Sequence, residues 1–130
     1  MKKLLLKYSL FVAISWTVII FILCATPGNY IPSANWLDLL SFDKFVHASI
    51  FFVLVCTWVL HFYRINRMSN IMLSIIVGSC MMYGGLLEIM QANVFSHRSG
   101  DWLDFIANSF GCIMGILFCM KRLRINKNQA

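Results

Sequence analysis

The stretch IMLSIIVGSCMMYGGLLEIMQA, residues 71–92, carries one ionisable side chain, Glu88, and is long enough to cross about 30 Å of hydrocarbon as a helix. Three further runs read the same way. Residues 8–25 hold no charge, residues 45–62 hold only His47 and His61 as ionisable groups, and residues 105–120 hold none. The second and fourth reach full length when the polar first turns from Asp43 and Asp101 are counted. The spans then fall at about 8–25, 43–62, 71–92 and 102–120. Lipid offers no partner to an open sheet's backbone, so helices follow. The expected fold is all-α: a polytopic membrane protein with four transmembrane helices in a single domain over residues 1–130.

Composition agrees. The chain is 60% hydrophobic, against about 45–50% for a soluble domain. The formal net charge of +6 would point to nucleic acid in a soluble protein. Here most Lys and Arg flank apolar runs and serve as topology signals, so no nucleic-acid partner is expected. Cys24, Cys56, Cys80, Cys112 and Cys119 lie in apolar segments without paired spacing or nearby His, and read as small hydrophobes. Lys2 and Lys3 before the first run resemble a signal peptide, and Cys24 a lipoprotein cleavage site. The run is long for a signal, however, and Leu23 stands where a small residue is required, so an uncleaved helix is expected.

Orientation follows from the basic residues. Lys2, Lys3, Lys7, Arg64, Arg67, Lys121, Arg122, Arg124 and Lys127 fall on one side of a four-span arrangement, which puts both termini in the cytoplasm. Asp38, Asp43, Glu88, Asp101 and Asp104 all fall at the other side, with Lys44 and Arg98 among them. Between the first two spans, Pro27-Gly28 marks a turn and Pro32 stops the helix from continuing. Trp36, Leu37, Leu39 and Leu40 would then lie at the headgroup level.

This segregation brings four separate stretches of chain to one outer mouth. Asp43 and His47 share a helical face, with Lys44 three before His47. Glu88 and Gln91 share the outer end of the third span. In the fourth, Asp101, Asp104, Asn108, Gly111 and Gly115 recur at helical steps as one stripe, polar at the mouth and glycine deeper in. Gly84 and Gly85 let the third helix approach a neighbour closely.

The set has a structural reading, in which the polar groups pair to hold helices together. It exceeds what packing needs, and a charge near hydrocarbon costs about 2–3 kcal/mol, so a ligand or ion site is expected. Helix N-termini with Lys44 and Arg98 suit an anion such as a lipid phosphate, while carboxylates and amides suit sugar hydroxyls or an ammonium group. Alternatively Asp43, His47, Glu88, Asp101 and Asp104, or His97, supply a metal site or a general acid and base for chemistry on a lipid-linked substrate. No metal-binding spacing such as HExxH is present, so neither metal nor cofactor is expected. A transport path is disfavoured, since no acid continues toward the cytoplasmic half. His61 beside Arg64 reads as interfacial, and Trp16, Trp58, Trp102 and the Met residues of the third span read as packing or interface anchors. Ser96 and Ser99 carry no catalytic geometry that spacing can show.

The motifs Pro27-Gly28, Asp43-Lys44 with His47, Glu88 with Gln91, and Arg98, Asp101, Asp104, Asn108 and Gly111 in order resemble the VanZ-like family of small bacterial membrane proteins. That family is named for a protein linked to low-level resistance to teicoplanin. The resemblance implies a multi-pass protein of the bacterial cytoplasmic (inner) membrane with an envelope role. Its partner would be a membrane lipid, a lipid-linked wall precursor or a lipoglycopeptide. The expected ligand-binding set is Asp43, Lys44, His47, Glu88, Gln91, Arg98, Asp101, Asp104 and Asn108.

Overall fold

The computed structural model describes residues 7–27, 40–97 and 100–128. Within them lie four helices: α1 (Ser9–Ala25), α2 (Leu40–Arg64), α3 (Asn70–Asn93) and α4 (Trp102–Asn128). Segments of α2 (Asp43–Arg64), α3 (Asn70–Asn93) and α4 (Trp102–Leu123) are long and apolar enough to cross a membrane. Helix α1 has 17 residues, which at 1.5 Å per residue span roughly 26 Å, slightly short of the hydrocarbon core.

The surface is inverted relative to a soluble protein. Phe11, Ile71 and Met82 are at least 70% exposed, while Glu88, Gln91, Asp104 and Asn108 are at most 9% exposed. Large apolar side chains outside and polar ones inside are stable when the surroundings are hydrocarbon, because polar groups then find partners only within the bundle. The chain is a multi-pass membrane protein.

Helices α2 and α4 form the central pair, with α1 against α2 and α3 touching the other three; α1 does not reach α4. The pairing follows from the stripe on α4. A Cβ built on Gly111 would lie 2.8 Å from the carbonyl carbon of Ala48, and one on Gly115 would lie 2.9 Å from the Phe52 carbonyl oxygen. Only glycine permits that approach, and the one-turn repeat 111/115 matches the one-turn repeat 48/52 on α2. Phe51, Leu54, Val55 and Cys112 are fully buried at this seam.

The helix ends are specified locally. Asn66, at φ 53°, closes α2: its own N–H donates to Tyr63 O and the Arg67 N–H donates to Phe62 O. This is the left-handed cap that Asn tolerates. The Ser69 hydroxyl accepts the Met72 N–H at 3.1 Å and starts α3. Asp43 lies inside α2, as the sequence reading required, whereas Asp101 sits one residue ahead of α4. Its side chain accepts the Leu103 N–H at 2.9 Å, so it caps the helix rather than joining its first turn. The expected interfacial residues Trp36, Leu37 and Leu39 lie outside the described residues, and Leu40 is the first residue of α2. Arg64 donates to the Lys7 carbonyl at 2.7 Å, which brings the start of α1 and the end of α2 together at the basic end.

Candidate functional site

At the opposite end, three helices deliver polar side chains to one cluster. Lys44, in the first turns of α2, donates to Asp101 Oδ2 at 2.9 Å and to Asp104 Oδ1, and lies 3.8 Å from Asp43 Oδ2. Its ammonium is thus enclosed by carboxylates from both helices. The Lys44 hydrogen bond, helped by the Leu103 N–H, holds the Asp101 carboxyl below the usual carboxylate range.

One turn along α2, His47 Nδ1 lies 3.0 Å from Asn108 Oδ1, an amide that is 1% exposed. The tautomer that satisfies this contact carries its proton on Nδ1 and turns the Nε2 lone pair the other way. Nε2 lies 3.7 Å from Asp43 Oδ1 and 3.7 Å from Asp104 Oδ2. Asp43, His47 and Asp104 each offer a ligand atom within 4.8 Å of the others, a set that could hold a metal ion. Chain spacing conceals it, because Asp104 comes from a different helix. An imidazole whose other nitrogen is held by an amide is also a common outer-shell arrangement at metal centres.

Glu88 and Gln91 are both buried at the end of α3 but serve different neighbours. Glu88 Oε2 accepts the Asp101 backbone N–H at 3.1 Å, tying α3 to the start of α4. Gln91 Nε2 donates to the Cys24 carbonyl at 3.4 Å, tying α3 to the end of α1. Gly100 was not expected from the sequence to matter: a Cβ there would come within 2.5 Å of the Glu88 carbonyl oxygen, so the chain can cross α3 closely only as glycine. Arg98 and Ser99 lie outside the described residues. His97 is exposed at φ 56°, away from these contacts.

Beside the cluster a groove of about 300 Å³ runs between α3 and α4, with Gly85, Ile89, Trp102 and Phe105 as apolar walls and Glu88 and Asp101 at its polar end. That volume lies at the small end of ligand pockets. Among the described residues, no serine or cysteine is hydrogen-bonded to His47 or to the clustered carboxylates. The arrangement suits cation or hydroxyl recognition and metal holding better than attack by a side-chain nucleophile.

The sequence missed the polar ties of α1. Ser9 Oγ lies 3.3 Å from His61 Nδ1, Trp16 Nε1 donates to Ile50 O at 3.1 Å, and Tyr83 OH donates to Thr17 O at 2.8 Å. Each joins residues far apart in the chain, so no local pattern announces it. His61, expected to be interfacial, is a half-buried bridge between α1 and α2. The cysteines form no disulfide, and Cys56 and Cys119 meet across α2 and α4 with sulfurs 3.5 Å apart.

No protein-family model matches the chain, and no solved structure matches it. It is similar to the uncharacterized protein C11E3.10 of Schizosaccharomyces pombe, 31% identical in an alignment 110 residues long that covers 80% of this chain and 65% of that protein. The chain therefore spans just under two thirds of the length of this yeast relative.

Proposed function

We propose that this is a four-span membrane protein that binds an amphiphilic molecule at the polar end of its bundle, away from the cytoplasm. The observation that supports it most is the groove between α3 and α4, whose apolar walls run directly into Glu88 and Asp101. An amphiphile has the same division: a chain that prefers Ile89, Trp102 and Phe105, and a headgroup that prefers the cluster. Both termini lie in the cytoplasm in this reading, with Lys7, Arg64, Arg67, Lys121 and Arg122 on that side. Helix α1 completes the four spans despite its shorter length.

The resemblance to VanZ-like proteins supports the bacterial cytoplasmic membrane as the location in this reading. The ligand is then a lipid headgroup, a lipid-linked wall precursor or a lipoglycopeptide such as teicoplanin, with a role in glycopeptide resistance. Similarity to a fission yeast protein favours the lipid headgroup among these, since it is the chemistry that bacterial and fungal membranes share. Arg98 is the remaining anion contact in this reading, because the Lys44 ammonium is already enclosed by carboxylates.

A photoactivatable amphiphile, incorporated at low mole fraction into vesicles holding the full chain, tests the binding reading. Labelling is expected to concentrate at Ile89, Trp102 and Phe105. Equal labelling of lipid-facing Phe11 and Ile71 would refute it. Orientation is tested by single cysteines in a cysteine-free chain: His97→Cys should react with an impermeant reagent from outside and Asn66→Cys should not, and the reverse pattern inverts the topology.

The convergence of Asp43, His47 and Asp104 favours a second reading, metal-assisted chemistry on a lipid-linked substrate. Turnover of a radiolabelled lipid-linked precursor, abolished by a chelator and by Asp104→Asn, would establish it; saturable binding without turnover supports the first reading.

A further inference from the structure

We infer that the headgroup taken by the groove between α3 and α4 carries a primary ammonium, and that Glu88 is its counter-charge. This rests on the amphiphile-binding reading and adds the class of ligand. Glu88 is 8% exposed and lines the groove. Its Oε2 accepts the Asp101 N–H at 3.1 Å, and among the described residues nothing hydrogen-bonds its Oε1. A carboxyl that lines a groove with one oxygen held by a backbone N–H keeps its other oxygen able to accept from a donor that arrives with the ligand.

The sign of the donor follows from the surroundings. Asp101, at the same polar end, has both oxygens engaged, one by Lys44 and one by the Leu103 N–H, so it contributes negative field rather than a free atom. Lys44 is held on the α2 side between Asp101 and Asp104 and offers the groove no ammonium of its own. Asp43 stands beyond it, 3.8 Å from the same nitrogen. Among the described residues, three carboxylates around one ammonium leave a negative excess beside Glu88. A phosphate-only headgroup would enter against that field, whereas an ammonium enters with it and supplies up to three donors. The chain of the ligand lies where Gly85 leaves room beside the Phe105 ring: a Cβ at Gly85 would approach that ring to 3.2 Å.

Trp102 lines the groove and is also 79% exposed, so the saturable part of its quenching, above the part set by bulk lipid, reports on the groove's occupancy. The full chain, with Trp16, Trp36 and Trp58 replaced by Phe, is placed in phosphatidylcholine vesicles. Lipids with brominated chains, which quench tryptophan on contact, are then titrated in. Brominated phosphatidylethanolamine is expected to half-quench Trp102 at about tenfold lower mole fraction than brominated phosphatidylglycerol, the scale of one charge-assisted bond. Glu88→Gln, with helicity unchanged by circular dichroism, should abolish that preference, and Gly85→Val should weaken quenching by both lipids.

The wild-type comparison decides even if a variant fails to fold. Saturable quenching that is equal for the two lipids, or stronger for the glycerol lipid, overturns the ammonium assignment while leaving amphiphile binding intact. An ethanolamine preference that survives in folded Glu88→Gln overturns the role of Glu88. Quenching that rises in proportion to mole fraction for every brominated lipid, with no saturable part, overturns both readings.

Discussion

Gly111→Ala adds one methyl group at the point where α4 lies on the backbone of α2. The new Cβ would come 2.8 Å from the Ala48 carbonyl carbon and 2.9 Å from its Cα, and closer still to its oxygen. No rotamer relieves this clash, because the obstacle is main chain. The helices must move apart, and such overpacking costs about 1–3 kcal/mol, here toward the upper end. Replacing a helical glycine by alanine returns about 0.5–1 kcal/mol, so a net loss of about 2 kcal/mol is expected. Gly78→Ala supplies the internal control, since its Cβ would meet nothing within 4 Å. It should keep the full propensity gain and become about 0.5–1 kcal/mol more stable. The two variants, chemically identical changes in one bundle, should therefore differ by roughly 3 kcal/mol in reversible unfolding in mixed micelles. A difference below about 0.5 kcal/mol, the usual range of surface substitutions, would refute the close approach of α2 and α4.

Lys44→Met leaves Asp101 and Asp104 facing one another without their ammonium. Removing the ammonium that the two carboxylates share should lower the melting temperature at neutral pH, with part of the loss recovered in acid as the carboxylates take protons; no recovery in acid would sink the pairing argument. Asp101 also has its own pH signature. Its folded pKa is depressed, so its contribution is complete above the unfolded value of about 3.9 and is lost as pH falls through the lower folded value. The fall in wild-type melting temperature below about pH 4 should accordingly be shallower in Asp101→Asn, and an unchanged acid limb would count against the Lys44 contact. Finally, a chain keeping only Cys56 and Cys119, whose sulfurs lie 3.5 Å apart, should form an intramolecular disulfide with a mild oxidant, and persistent free thiols would contradict the α2–α4 register.

The membrane class and the helix positions were legible in the sequence because hydrocarbon imposes a local rule: a long uncharged run must be a helix, and Glu88 alone interrupts residues 71–92. The stripe on α4 was legible for a related reason, since Asp104, Asn108, Gly111 and Gly115 share one face at steps of three and four, with Asp101 as the cap just ahead of them. What that face meets was not legible. Lys44 read as a cation free for an anion, yet the register set by Gly111 and Gly115 turns it into the centre of a carboxylate cage. Glu88 and Gln91 read as one pair, yet α3 lies between α1 and the start of α4, so each side chain reaches a different neighbour. The triad of Asp43, His47 and Asp104 depends on two helices separated in the chain, which no spacing rule within one helix can reveal.

Packing and recognition in this bundle are consequently one device. The glycines that let α4 lie against α2 also set the distance from Lys44 to Asp104 and from His47 to Asn108, since all four residues stand within two turns of Gly111 or its partner Ala48. Glu88 is held by the backbone of Asp101, the residue that caps the same helix, so the groove inherits its polar end from the start of α4. A change that spreads α2 from α4 therefore loosens the charge cluster and shifts the Asp101 cap before it exposes the buried Phe51 and Leu54. Binding geometry is the more sensitive of the two, because hydrogen bonds weaken over tenths of an ångström while apolar contacts close around a small displacement.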